Sequence, residues 1–245
     1  MNRYRNWFLV GATLLLVGLV VWYWQTLLTL SLIWQVSPYQ QLVPGAPTIL
    51  VVGDSTAYGT GATRSSESTA GLIAQNFPEF SVLTTARNAL TSEQLYQCLV
   101  DMVPPEEYAA IIVQIGGNDI LRDIPLIESK RFMRMVLEQL QQYSDTVLWL
   151  HSGNVGGATR FSPDMAAALE QRTRSFRAMA KQLSGELGVH YVDLFLELAE
   201  DPFIANPRVY LARDGLHPSS AGYRAWFAEL QPILEAAFAT STLSE

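Results

Sequence analysis

The sequence is poor in residues that several kinds of function require. It has one cysteine, Cys98, among 245 residues, so no intramolecular disulfide can form and cysteine usage is silent about redox compartment. Cys98 sits in an apolar stretch of an expected helix and reads as a buried, inert thiol. Neither Gly-x-Gly-x-x-Gly nor Gly-Lys-Ser/Thr occurs, which leaves a phosphate-binding loop without its usual signature. Basic residues are also scarce. Two of the 16, Arg3 and Arg5, precede Val36, whereas all 23 acidic residues lie at or after Asp54. An acidic domain argues against nucleic-acid partners, whose phosphates demand a basic face. The densest basic run, Arg172, Arg174, Arg177 and Lys181, falls in an expected helix beside Glu170 and Glu186 and reads as a solvated helix face.

Charge is missing altogether over residues 7–34, and residues 8–24 are almost wholly apolar, the length a bilayer-spanning helix needs. The expectation is one N-terminal transmembrane helix, with Trp7, Trp22, Tyr23 and Trp24 as interfacial aromatics. Bulky side chains stand where a cleaved signal would carry small ones. Arg3 and Arg5 precede the run and no further Lys or Arg appears until Arg64, which predicts a cytoplasmic N-terminus and a following domain in the periplasm or outside the cell. The expected organisation is a cytoplasmic stub and anchor over 1–36, a Pro/Gly-containing linker over 37–47 and one folded domain over 48–245.

Within that domain, short apolar runs alternate with helical patterns. Strands are expected at 48–52, 80–85, 109–115, 146–150 and 189–192, mostly continuous apolar runs of the kind buried on both faces. Helices are expected at 66–76, 92–100, 126–143, 163–187 and 219–238, with Thr91 and Ser162 as N-caps and Pro163 at a first helical position. Five strands each followed by a helix predict an α/β fold with a doubly wound parallel sheet, whose sites form at the carboxyl ends of the strands.

Three loops carry candidate chemistry. Gly53-Asp54-Ser55 follows the first strand and places a serine in a tight turn where an exposed nucleophile belongs. Gly116-Gly117-Asn118-Asp119 follows the third; its Asn amide can donate to a developing oxyanion and its glycines let substrate approach the backbone. Asp214-Gly215-Leu216-His217 precedes the last helix, a spacing that can set a carboxylate beside an imidazole and so fix its tautomer as it takes the serine proton. Each motif alone also reads as an ordinary turn; the three in order are the signal. Of three histidines, His151 at the end of the fourth strand and His190 in the fifth read as structural, which leaves His217 as the base. Asp193 is the competing carboxylate.

With these residues the sequence resembles the SGNH hydrolases, the GDSL esterase/lipase family, over nearly all of residues 48–238. Gly53-Asp54-Ser55 matches the first block, although Thr56 stands where Leu is usual; Gly116 to Asp119 resembles the Gly-x-Asn-Asp block, and Asp214 to His217 the Asp-x-x-His block. The family's second block aligns with Arg87-Asn88-Ala89-Leu90-Thr91. Ala89 takes the place of the oxyanion-hole glycine, with Asn88 as the alternative aligned residue.

The resemblance implies a flavodoxin-like three-layer α/β/α sandwich with a five-stranded parallel sheet. It also implies metal-free and cofactor-free ester or thioester hydrolysis. Ser55, His217 and Asp214 would form the triad, and the NH groups of Ser55 and Ala89 with the Asn118 amide the oxyanion hole. Asp54, Gly117 and Asp119 would support the loops. A small ester or lipid-like substrate is expected, such as a lysophospholipid or an acylated envelope polysaccharide. Two other readings stand beside it: an inactive tethered binding domain on the same fold, and a flavodoxin-like cofactor-binding protein, which leaves the Asp-x-x-His spacing unexplained.

Overall fold

The computed structural model of the chain describes residues 2–100, 107–197 and 200–241. Five short strands rich in β-branched and large apolar residues form its sheet: β1 (Thr48–Gly53), β2 (Ser81–Ala86), β3 (Ala110–Gln114), β4 (Val147–Leu150) and β5 (His190–Val192). All neighbours pair in parallel, in the order β2-β1-β3-β4-β5. The order reverses direction between β1 and β3, so the turns leaving these two strands flank the crevice where sites form in open parallel sheets.

The sheet is buried on both sides because successive side chains alternate between two separate cores. Ile49, Val51, Ile112, Leu148 and Val192 face α3 (Thr69–Asn76) and α8 (Ser220–Ser241). Leu50, Val52, Ile111, Val113 and Trp149 face α4 (Ser92–Val100), α6 (Leu126–Leu140) and α7 (Pro163–Leu187). The result is the expected three-layer α/β/α sandwich. The cap residues act as expected: the Ser162 side chain accepts from the Met165 NH with Pro163 behind it. Thr91 and Gln94 exchange hydrogen bonds in a capping box at the start of α4.

The N-terminal segment differs from expectation. Residues Asn2–Ile33 form one helix, α1. Among the described residues, however, no helix is long and apolar enough to cross a membrane, so the expected transmembrane span is not supported. The last turns of α1 are docked on the domain. Leu32 is buried, Thr29 donates to Asp214 (2.9 Å), and Ser31 accepts from Arg213 (2.7 Å). Exposed apolar side chains begin at Trp7 and recur along the helix through Leu14, Val20 and Trp24 to Leu30. The side chains of Arg3, Arg5 and Trp22, which carry the orientation and interface expectations, lie outside the described residues.

The stretch expected as a linker, residues 37–47, is likewise bonded to the domain. Gln41 and Val82 exchange two backbone hydrogen bonds of 2.8 Å, and the Thr84 hydroxyl donates to the Tyr39 carbonyl. The segment thereby covers the edge of β2 that parallel pairing with β1 leaves open.

Candidate active site

The turn after β1 is shaped by a glycine that has no substitute. Gly53 has φ of 145°, and a Cβ there would collide with the Gln114 carbonyl of β3. This close approach brings Asp54 in as the N-cap of the short helix α2 (Ser55–Tyr58), with Ser55 at its first position. Asp54 Oδ1 accepts from both the NH and the hydroxyl of Thr56, each at 2.8 Å. Thr56, which departs from the expected Leu, thus gains a hydroxyl-to-carboxylate bond that Leu could not make. Burial raises the Asp54 carboxyl to about 6, against the lowering effect of the Thr56 bonds and of His217.

The turn after β3 begins at Gly116, whose φ is 121° and whose missing Cβ leaves room for the Phe176 ring. It leads into the one-turn helix α5 (Gly117–Leu121). Asn118 donates its side-chain amide to Asp54 Oδ2 at 3.3 Å, which joins this turn to the serine turn. Asp119 points away into the protein, where it accepts from the Ser92 NH (2.9 Å), the Ser92 hydroxyl and the Ser129 hydroxyl (3.0 Å). It therefore ties the turn to α4 and α6.

The third loop brings acid and base together. His217 Nε2 lies 3.0 Å from Ser55 Oγ, and His217 Nδ1 lies 2.7 Å from Asp214 Oδ2. Asp214 Oδ1 accepts the NH groups of Leu216 and His217, each at 3.1 Å, so the loop's own backbone grips the carboxylate. Burial alone would raise the Asp214 carboxyl; the bond and charge of His217 and the two backbone NH groups outweigh it and hold it at about 2. Asp214 has no exposed surface, while Ser55 and His217 retain 8% and 7%. This is the burial expected where a carboxylate orients an imidazole and the serine must still meet a substrate.

Ala89 occupies the place where the resemblance expects glycine, and it has φ of 66°. That is the left-handed region that glycine enters freely and alanine only at a cost of roughly 1 kcal/mol or more. Its carbonyl accepts from Arg122 (2.7 Å), and the neighbouring Asn88 side chain accepts from Thr60 (2.6 Å). Neither the NH of Ser55 nor that of Ala89 donates to an acceptor among the described residues.

Ser55, Asn88, Ala89, Gly117, Asn118 and His217 line one pocket of about 260 Å³. Its apolar walls are Ile33, Leu121, Val155, Leu194, Phe203 and Trp226. Sequence reasoning missed two contributions to this pocket. Ser152, Gly153 and Asn154 follow β4, and a polar cluster at a strand's carboxyl end was a readable sign of a site. Thr29 and Ile33 come from the apolar N-terminal run, where nothing in the local pattern sets them apart.

The remaining candidates lie elsewhere. His151 is fully buried, stacked on Phe176 with ring centroids 5.1 Å apart, and burial lowers it to about 4. It is not the satisfied structural histidine expected, because neither ring nitrogen has a partner among the described residues. His190 is exposed on β5. Asp193, the competing carboxylate, is taken up by Arg177 (2.6 Å) and Lys181 (2.5 Å). With Arg172 on Asp123 and Arg174 on Glu170 and Glu197, the whole basic run of α7 is ion-paired. Cys98 is only partly buried and lines, with Leu95 and Leu99, a separate hollow. Among the described residues no cluster of His, Cys, Asp or Glu is placed to hold a metal ion.

Comparison with known proteins accords with this arrangement. No curated protein matches the chain in sequence. The fold is shared with the crystal structure of TesA (19% identity, TM-score 0.62), covering 78% of this chain and 99% of that one. It is shared too with a lipase/acylhydrolase from Enterococcus faecalis (19%, 0.60; 78% and 96% covered) and with Axe2, an acetylxylan esterase from Geobacillus stearothermophilus (19%, 0.56; 77% and 94%). Residues 51–225, which include all three candidate loops, match the model of the GDSL-like lipase/acylhydrolase family. The chain belongs to that family and is an ester-hydrolysing serine hydrolase.

Proposed function

We propose that Ser55, His217 and Asp214 form the catalytic triad of a serine esterase. The observation that carries this reading is the continuous relay from Ser55 Oγ through His217 to buried Asp214, at 3.0 and 2.7 Å. His217 Nε2 takes the hydroxyl proton as Ser55 Oγ bonds to the ester carbonyl carbon, and Asp214 steadies the resulting imidazolium. The oxyanion meets the NH groups of Ser55 and Ala89 and the Asn118 amide. One hydrogen of that amide is engaged by Asp54, and the other is left for substrate. His217 then returns the proton to the leaving alcohol, and water, deprotonated by the same imidazole, releases the acid from the acyl-enzyme.

The pocket supports a modest substrate. Its volume falls just below the roughly 300–1,000 Å³ of drug-sized ligand sites, and its walls suit a short acyl group or the glycerol end of a lysophospholipid. The exposed apolar side chains between Trp7 and Val20 favour attachment of α1 to a membrane, and hence an ester drawn from the cell envelope, lipid or acylated polysaccharide. The charge pattern around that segment, with Arg3 and Arg5 before it, favours a domain facing the periplasm or cell exterior.

The test is labelling by a fluorophosphonate probe and hydrolysis of short-chain p-nitrophenyl esters by the full chain in detergent. Both should be lost in Ser55→Ala. An unlabelled, inactive wild-type protein would instead establish a binding domain on this fold. Membrane fractionation with protease accessibility checks the attachment and its side.

A further inference from the structure

The buried carboxylate of Asp214 receives a hydrogen bond from the opposite end of the chain. Its Oδ1 is occupied by backbone NH groups of its own loop, while Oδ2 accepts from two side chains, His217 Nδ1 at 2.7 Å and Thr29 Oγ1 at 2.9 Å. The Thr29 hydroxyl is thus a donor from outside the loop, on the very oxygen that faces the imidazole.

Several contacts fix Thr29 in that place. Thr29, Leu32 and Ile33 stand at i, i+3 and i+4 of α1 and share one helix face. Leu32 is 3% exposed and Ile33 lines the pocket. Arg213, the residue before Asp214, donates to Ser31, and Gln35 donates to the Thr63 carbonyl (3.2 Å) just beyond the helix. Arg160 reaches the Thr29 hydroxyl oxygen at 3.5 Å, where it favours the orientation in which the hydrogen points at Asp214.

We propose that Thr29 is a positioning residue for ester hydrolysis, and that the last turns of α1 are part of the active site rather than of a separate anchor. The proposal rests on Asp214 being the triad carboxylate. A donor on Oδ2 does two things. It fixes the carboxylate plane that aligns the imidazole, and it withdraws part of the negative charge felt by the imidazolium. Loss of the hydroxyl leaves Asp214 a stronger partner for the protonated base, so deprotonated enzyme appears only at higher pH.

The experiment compares Thr29→Val and Thr29→Ser in the full chain in detergent micelles, with p-nitrophenyl butyrate as substrate. Valine keeps the shape and removes the donor; kcat should fall by about tenfold, the order expected when one hydrogen bond to a charged group is lost. KM should change little, and the acid limb of the kcat–pH profile should move to higher pH. Serine, which restores the hydroxyl, should recover the wild-type profile. Ser31→Ala, which removes the bond from Arg213 and the local bond to the Leu28 carbonyl but keeps the Thr29 hydroxyl, should leave that limb in place. If the valine protein is poorly folded, Thr29→Ala gives the same readout. A wild-type kcat and pH profile in a folded Thr29→Val or Thr29→Ala protein overturns the proposal, as does a Thr29→Ser protein that is equally impaired. Activity surviving in Ser55→Ala would instead remove the triad reading on which it rests.

Discussion

Asn118 and Asp54 meet across the crevice between β1 and β3, the amide nitrogen 3.3 Å from Asp54 Oδ2. The contact spans two motifs 64 residues apart and sets the direction of the amide that the proposed oxyanion would use. Asp54 also holds the NH and hydroxyl of Thr56, so one buried carboxyl organises both the serine turn and the amide donor.

Asn118→Ala should therefore lower kcat by roughly 10² to 10³ with little change in KM, since the amide would act on charge that develops only in the transition state. Steady-state kinetics on a p-nitrophenyl ester measure this. A variant with wild-type kcat would remove Asn118 from the oxyanion hole and leave the two backbone NH groups alone there.

Asp54 itself should write a pH dependence into stability. Burial raises it to about 6, above the ordinary aspartate value of 3.8. Its stabilising contribution is fully present below about pH 4 and is lost as pH rises through about 6, because folding then forces an ionised carboxylate out of water. In Asp54→Asn this dependence disappears. The midpoint of thermal unfolding, compared between wild type and variant from pH 4 to 8, should show the difference between them changing across that window. A constant difference would mean that Asp54 is not the titrating group.

Much of this was legible in the sequence. Strands β1, β3 and β4 were readable because each is a nearly continuous run of apolar residues, the mark of burial on both faces, and α4 and α7 were readable to the residue from Thr91, Ser162 and Pro163. The loops were readable because Ser55, Asn118 and His217 each sit among turn residues at a strand's end or a helix's beginning. The foot of α1 was not. A charge-free run has the same appearance whether lipid or protein covers it, and the docking of Thr29 on Asp214 depends on a contact across 185 residues of chain. The contacts of residues 37–47 were not legible for a related reason: the Pro and Gly residues mark turns, but the segment bonds to β2 through its own backbone, which leaves no trace in its side-chain pattern.

Ala89→Gly tests the second motif. At φ of 66° alanine carries left-handed strain that glycine lacks, so the variant should be as stable as wild type or more stable by up to about 1 kcal/mol. The opposite holds where alanine lies in a regular helix: Ala180→Gly, in the middle of α7, should destabilise by about 1 kcal/mol or more. Esterase activity in Ala89→Gly should be kept, since the backbone NH remains. Chemical denaturation of the two variants decides it, and a clear loss of stability in Ala89→Gly would show that position 89 does not hold the left-handed conformation.

His151 provides the last test, because its burial makes it a liability in acid and not a second base. Its rings of contact are Phe176 and Tyr191, and burial holds it at about 4, below the ordinary 6.5, so the folded protein keeps it neutral while the unfolded chain takes up a proton. Its effect on stability is therefore constant above about pH 6.5 and turns unfavourable as pH falls from there to about 4, by roughly 3 kcal/mol over the window. His151→Leu removes that dependence even if it loses some packing at neutral pH. The variant should lose less stability than wild type between pH 7 and 4.5 in urea unfolding, and it should hydrolyse esters, since His217 is the histidine bonded to Ser55. Loss of activity in a folded His151→Leu protein would move the base from His217 to the end of β4.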